Sequence, residues 1–329
     1  MKIFYAVQAT GNGHIARAIE LLPYLQKYGT VDVFLSGNNS SLAGNLPVRF
    51  KSKGVSLYYT SKGGLDYFKM MNEFSARRVW REAKDLPVEK YDCVLIDFES
   101  IAALSCRLKG IPCIAFGHQA SFQSENSPRP KMKSIASEWV LKYYSPATVY
   151  VGLHFKQYDS FILNPVLKEA MLKAEPNDQG HVTVYLPQYN DELILKHLQR
   201  IKDVSFHLFS KKANSITLKN NIKIFPVDNH TFNESIINCH GTVTGAGFET
   251  PAEVLYLGKK LLCIPIKGQY EQKCNAAALR DFNVPVMEDI KPDFYQAIID
   301  WLRLPKPELI ELKHSTEEII LFVMQQADS

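Results

Sequence analysis

The chain has 329 residues, enough for two domains with cores of their own, and its 46% apolar and 22% charged content is that of an ordinary globular protein, which excludes disorder and low-complexity function. The net charge of +4 is unevenly spread: residues 1–165 carry 20 Lys and Arg against 13 Asp and Glu, and the remainder 18 against 21. No nucleic-acid module or strong basic stripe accompanies that excess, so nucleic acid is not the expected partner.

Lys2 to Val7 reads as an apolar strand, followed by Gln8-Ala9-Thr10-Gly11-Asn12-Gly13-His14 and a helix, Ile15 to Leu22, ending near Gly29. A glycine turn between the first strand and first helix is the usual ligand loop of a doubly wound sheet. It is not a full dinucleotide fingerprint. Leu35-Ser36-Gly37-Asn38-Asn39 after the second strand supplies no ribose-binding acid, and there is no Walker A lysine, so a Rossmann dehydrogenase is not expected. Strands follow near 31–36, 55–59, 92–97, 112–116 and 148–153.

The strand at 92–97 ends in Asp97-Phe98-Glu99-Ser100 before a helix, Ile101 to Lys109, which puts Asp97 on the sheet edge shared with His14. Asp97 reads either as the orienting partner of His14 or as the cap of that helix, with Glu99 a rival for the first role. The strand at 112–116 ends in Gly117-His118, so His118 lies on the same rim, as an acceptor contact, a second base or a polar loop residue.

A polar break, Glu175-Pro176-Asn177-Asp178-Gln179-Gly180, marks the expected domain boundary. Strands then recur at 181–186, 204–209, 222–226, 241–244 and 261–266, with helices between them, an alternation that implies parallel sheets covered on both faces. The most informative stretch is Thr244-Gly245-Ala246-Gly247-Phe248-Glu249-Thr250-Pro251-Ala252-Glu253. Gly245 and Gly247 permit close backbone approach to a ligand. Thr250, Pro251 and Glu253 fit an N-cap, a first-turn proline and the reciprocal member of a capping box. The amides of such a helix start attract a diphosphate without a metal, and no Asp-x-Asp motif occurs in the chain. The strand to Ile266, with Pro265 near its end, then leads into Gln269-Tyr270-Glu271-Gln272-Lys273-Cys274-Asn275-Ala276, a second polar crossing beside the first.

Gly247, Thr250, Glu253, Pro265, Glu271-Gln272 and Asn275 occur in the order and near the spacing of the GT-B nucleotide-sugar glycosyltransferases. Over roughly forty residues the chain resembles the group containing the peptidoglycan N-acetylglucosaminyltransferase and the UDP-glycosyltransferases of plants. The resemblance implies an α/β fold of two doubly wound Rossmann-like domains facing a cleft: 1–165 for the acceptor, 166–180 as linker, 181–310 for the nucleotide sugar, and a helix in 311–329 crossing back to the first domain. It implies donor contacts from Gly11, Gly13, Gly245, Ala246, Gly247, Phe248 and Thr250, ribose contact from Glu253, and sugar contact from Glu271 and Gln272. Phe225 and Phe232 are the candidates for a nucleobase wall. His14 matches the family's catalytic base and Asp97 its partner, with His118 and Glu99 on the acceptor side. Two departures stand out: Glu271 replaces an Asp or Gln common in the family, and the His14 loop is one residue longer than in the peptidoglycan enzyme.

The expected activity is inverting, metal-independent transfer from a nucleotide-diphosphate sugar, UDP favoured, to a hydroxyl acceptor, whether lipid, surface glycan or small metabolite, with no cofactor. A nucleotide-sugar epimerase of the same fold and a non-catalytic sugar-nucleotide-binding protein are the alternatives. Cysteines at 93, 106, 113, 239, 263 and 274 form no CxxC pair and suit a reduced cytoplasmic protein. The first strand is too short for a signal core and no run approaches the roughly eighteen apolar residues of a membrane span. Basic residues at Arg77-Arg78 to Lys84 and at Arg129 to Lys133, the latter beside Trp139, Tyr143 and Tyr144, suit peripheral contact with an anionic membrane at its inner face.

Overall fold

The computed structural model describes residues 1–9, 11–37, 46–54 and 75–327. The strand expected at 55–59 lies outside the described residues. Among them, β1 (Lys2–Gln8), β2 (Thr30–Ser36), β3 (Val48–Ser52), β4 (Cys93–Asp97), β5 (Ile114–Gly117), β6 (Val149–Leu153) and β7 (Ile162–Leu163) form one parallel sheet in the order β3-β2-β1-β4-β5-β6-β7. The chain winds outward from β1 in both directions, and Ile3 pairs with Val31 on one side and Cys93 on the other. A central strand of this kind is covered on both faces, which is why Ile3, Phe4, Tyr5, Ala6 and Val7 are all apolar and fully buried rather than alternating.

The second sheet holds β8 (His181–Tyr185), β9 (Ser205–Ser210), β10 (Thr217–Lys219), β11 (Ile222–Pro226), β12 (Gly241–Thr244) and β13 (Lys260–Cys263), in the order β10-β11-β9-β8-β12-β13. It repeats the outward winding, now from β8. Only β10, a short edge strand that the sequence reading missed along with β3 and β7, runs antiparallel. The strand expected to reach Ile266 stops at Cys263, before Pro265, which has no N–H to give a ladder.

Each sheet therefore reverses strand order once, between β1 and β4 and between β8 and β12. Those are the positions where the loops on either side part and leave a crevice. One apolar cluster runs from Ile3 and Tyr5 of the first sheet to Phe248 and Leu255 beside the second, so the two layers share buried surface. The helix Thr316–Gln325, capped by the reciprocal Ser315 and Glu318 pair, packs Ile319, Ile320, Val323 and Met324 into that cluster alongside Leu21 and Leu25 of the helix Asn12–Leu25. Residues 175–180 are exposed, while Val166, Leu167 and Met171 before them are buried. All six cysteines are buried.

Candidate active site

The carboxyl ends of both sheets open onto a cleft of about 610 Å³. One wall is built by Gly11 to His14 after β1, Phe98 after β4, and His118 and Gln119 after β5. The other comes from Tyr185 to Gln188 after β8, Lys211 after β9, the Thr244 to Pro251 turn, and Ile266 to Gln272 after β13.

His14 lies in the first turn of the helix Asn12–Leu25, and its side chain is 14% exposed. Its Nδ1 donates to Asp97 Oδ1 at 2.9 Å, which leaves Nε2 unprotonated in the neutral ring, 3.4 Å from Gln119 Nε2 at the cleft. Asp97, the last residue of β4, is completely buried. Arg17 lies three residues after His14, on the same helix face, and grips the same carboxylate: Nη2 donates at 2.8 Å and 2.9 Å to its two oxygens and Nε at 3.2 Å. Its other amino group reaches across to Glu249 in a short ion pair, so one guanidinium joins the two walls. The crowding is specific. A Cβ on Gly117, at φ +146°, would stand 2.8 Å from Asp97 Oδ1, and one on Gly13 would stand 2.6 Å from Glu249 Oε2.

Burial works against a charged imidazolium, but the Asp97 and Glu249 carboxylates outweigh burial and the Arg17 charge, so His14 titrates above its ordinary value. Burial likewise opposes ionisation of Asp97, yet Arg17 and His14 hold its carboxyl below the usual range. Asp97 is thus the fixed anion and His14 the group that gains and loses a proton. Arg17 cannot exchange that proton under ordinary conditions and remains a cation.

The contest between Asp97 and Glu99 resolves by geometry. Glu99 is the N-cap of the helix Ser100–Lys109, accepting from the amides of Ile101 at 3.0 Å and Ala102 at 2.6 Å, and so faces away from His14. Phe98 between them takes φ +52°, which turns the chain so that successive acids point to different tasks. His118 lines the cleft, but its ring is fully engaged. Nδ1 lies 2.9 Å from the Leu153 carbonyl oxygen and Nε2 2.7 Å from Asn275 Oδ1, so the ring's proton goes to one of these acceptors, and the ring stacks on Phe248 at 4.0 Å. Burial lowers its pKa, and its contacts tie the two walls together rather than leaving a free base.

The second wall differs from expectation in three places. The helix begins at Glu249, not after Thr250, because Phe248 is already in the helical region and its carbonyl accepts from Ala252. No side chain caps it, so there is no Thr250–Glu253 box and the first-turn amides remain uncapped. Glu253 is 2% exposed, does not line the cleft, and pairs with Lys168 Nζ at 3.1 Å; burial raises its pKa and Lys168 opposes that. Phe225 is also away from the cleft, stacked on Phe209 at 5.1 Å, and Phe232 packs edge-on against the same ring. Phe225 lies on the face of β11 opposite Ile222 and Ile224, where Phe209 and Phe232 cover it and its aromatic area is buried.

Gly245, Gly247, Phe248, Thr250, Glu271 and Gln272 do line the cleft, whereas Ala246 is buried with its carbonyl taken by Asn275. Glu271 accepts from Gln119 across the cleft at 3.0 Å, and Gln272 uses its oxygen on the Ile266 amide. Sequence reasoning gave no role to Arg17, Glu249, Gln119, Gln188 or Lys211. The spacing of His14 and Arg17 was the one available signal; the others are brought in by distant strands. The side-chain oxygens of the cleft residues Gln119, Gln188 and Gln269 have no hydrogen-bond partner among the described residues. A buried acceptor left so costs about 1–3 kcal/mol, which a ligand rich in hydroxyl donors would recover.

A family model described as glycosyl transferase family 1 matches residues 1–303. No curated protein matches the chain. Among solved structures, a UDP-glucosyltransferase from Polygonum tinctorium capable of glucosylating indoxyl is similar at 13% identity and a TM-score of 0.64, over 100% of this chain and 98% of that one. Arabidopsis thaliana UGT89C1, solved with UDP, gives 14% identity and 0.59 over 99% and 94%. Acinetobacter baumannii MurG gives 14% and 0.53 over 97% and 93%. These likenesses extend over both sheets and establish the GT-B fold.

Proposed function

The chain belongs to glycosyl transferase family 1, and from that membership we propose that it transfers a sugar, with inversion and without a metal, from a nucleoside diphosphate donor to an acceptor hydroxyl. His14 carries the reading: its ring is held by buried Asp97 on one wall, with Nε2 turned to the cleft opposite an uncapped helix start on the other.

In this mechanism Nε2 of His14 takes the proton from the acceptor hydroxyl as that oxygen bonds to the anomeric carbon. The bond from that carbon to the diphosphate breaks on the opposite face, which inverts the centre. Asp97 stabilises the imidazolium that forms, and Arg17 fixes Asp97. Charge developing on the diphosphate meets the amides near Gly247 to Thr250, with Lys211 on the same wall. Glu271, Gln269 and Gln272, which line the cleft, would read the sugar hydroxyls. Glu253 is not assigned the ribose, since its carboxylate is committed to Lys168. Uridine is favoured because one similar protein is a UDP-glucosyltransferase and another was solved with UDP. The buried cysteines, with no CxxC pair among them, support a reducing compartment, and the basic first half supports peripheral contact with an anionic membrane. No helix among the described residues is long and apolar enough to cross a membrane.

The test is thermal stabilisation of the purified protein by UDP, GDP, dTDP, CDP and their sugar conjugates. A ligand at about a hundred times its dissociation constant adds roughly 2.7 kcal/mol. Stabilisation by one nucleotide family is expected, and none by any of them, in folded protein, would overturn the proposal.

A further inference from the structure

The helix Ile135–Tyr143 uses only part of its surface to hold itself to the protein. Its N-cap Ser134 accepts from the Ser137 amide, and Leu141 is its buried anchor, packed in a cluster with Phe122, Tyr270 and Cys274. The opposite face should be polar on a surface helix. It is not. Ile135 is 89% exposed, Trp139 62%, Tyr143 57% and Val140 44%, and Met132 just before the helix is 89% exposed. Positions 135, 139 and 143 recur every fourth residue and so form one stripe, with the Trp139 and Tyr143 rings 5.6 Å apart.

Charge around the stripe is sorted. Lys131 and Lys133 are exposed beside Met132, while Lys142, within the helix, lies 3.9 Å from the exposed carboxylate of Glu125. The one acid of the segment, Glu138, is turned inward, accepting from Arg129 Nε at 2.9 Å and from the Tyr270 hydroxyl at 2.6 Å. The outward surface therefore combines large apolar side chains, two of them amphipathic aromatics, with the exposed cations Lys131 and Lys133. That is the composition of a helix lying in the headgroup layer of an anionic bilayer. Its position matters as well: Val140 and Tyr144 line the cleft, so whatever the stripe touches meets the mouth of the site.

We infer that the Met132, Ile135, Trp139, Tyr143 face docks on an anionic membrane surface, with Lys131 and Lys133 against the lipid phosphates. The inference names the face for the peripheral contact in the proposed function, and rests on that reading only for its purpose. Docking holds the cleft mouth at the lipid boundary and so selects an acceptor carried by that surface.

The experiment is co-sedimentation of the full chain with vesicles of phosphatidylcholine alone and of phosphatidylcholine mixed with phosphatidylglycerol. Binding to the mixed vesicles and little to the neutral ones is expected, weakening as salt is added. The double variant Lys131→Gln/Lys133→Gln should lose about tenfold or more on mixed vesicles, since each lysine near such a surface is worth about a fivefold change. Ile135→Ser/Trp139→Ser should lose binding to a similar degree while keeping the wild-type melting temperature and the wild-type stabilisation by nucleotide, because these side chains are exposed and the donor wall is elsewhere. No binding of wild type to mixed vesicles overturns the inference, as does binding that the Ile135→Ser/Trp139→Ser variant retains. Concentration-dependent dimerisation abolished by that variant, without vesicle binding, overturns it in favour of a contact between two copies of this chain. Loss of nucleotide stabilisation in wild type would count against the donor site and leave the vesicle result intact.

Discussion

The two walls of the cleft are built from different materials. The wall of the first sheet relies on side chains: His14, Arg17 and Asp97 converge within hydrogen-bond distance, and each depends on the charge of the next. The wall of the second sheet relies on backbone, a Gly245 to Thr250 turn running into an uncapped helix. Side-chain chemistry is lost when one residue is replaced. Backbone chemistry survives most replacements but not added bulk.

The largest effect should come from the side-chain wall. His14→Ala should lower transfer by about 10²–10⁴, the usual scale for a positioned base, while leaving nucleotide stabilisation at the wild-type level. If His14→Ala transferred sugar at the wild-type rate, the division of labour between the walls would fail. Asp97→Asn keeps the shape but favours the wrong tautomer, and should fall in the same range.

Arg17→Ala should destabilise the fold by about 3–5 kcal/mol, because it leaves Asp97 buried without its cation. Glu253→Ala should cost about 3 kcal/mol by stranding Lys168, with donor affinity little changed in whatever fraction remains folded. A chemical denaturation curve beside a nucleotide titration separates the two quantities. Specific loss of donor affinity with unchanged stability would return the ribose contact to Glu253.

Gly247→Ala tests the backbone wall from the other side. An added Cβ there meets nothing within 4 Å, so the melting temperature should hold, yet donor affinity should fall by about 1–3 kcal/mol through obstruction at the turn. Titration calorimetry with the stabilising nucleotide gives the number.

The finest test is pH. Asp97 and Glu249 raise His14 despite burial, and the base works only when neutral, so activity should climb with pH through a limb above the ordinary histidine value. Glu249→Gln removes a charge that favours the imidazolium and should move that limb to lower pH. An unmoved limb would mean that Glu249 does not act on His14. Chelator should leave all of these rates unchanged, and loss of transfer on chelation would replace the helix start with a metal in the account of the leaving group.

The sequence by itself determined the strand–helix alternation that makes both sheets largely parallel, and most of the cleft rim, whereas the strand order came only with the fold. Strand and helix patterns are local: apolar runs such as Ile3 to Val7 and glycine turns such as Gly11 to Gly13 are read within a few residues, and His14 and Asp97 fall at strand ends wherever those strands pair. It placed Thr250 and Glu253 in a capping box because that pattern is equally local, but Phe248 joined the helix and Lys168, far away in the chain, claimed Glu253. Glu99 took the cap that Asp97 was free to leave only because His14 and Arg17 stood opposite Asp97. Which acid serves which partner, whether Phe225 faces ligand or core, and the bridge from Arg17 to Glu249 were decided only by tertiary structure. The reason is physical: a buried charge or ring settles with whatever distant strands bring to it, and a window of sequence contains its own residues but not those partners.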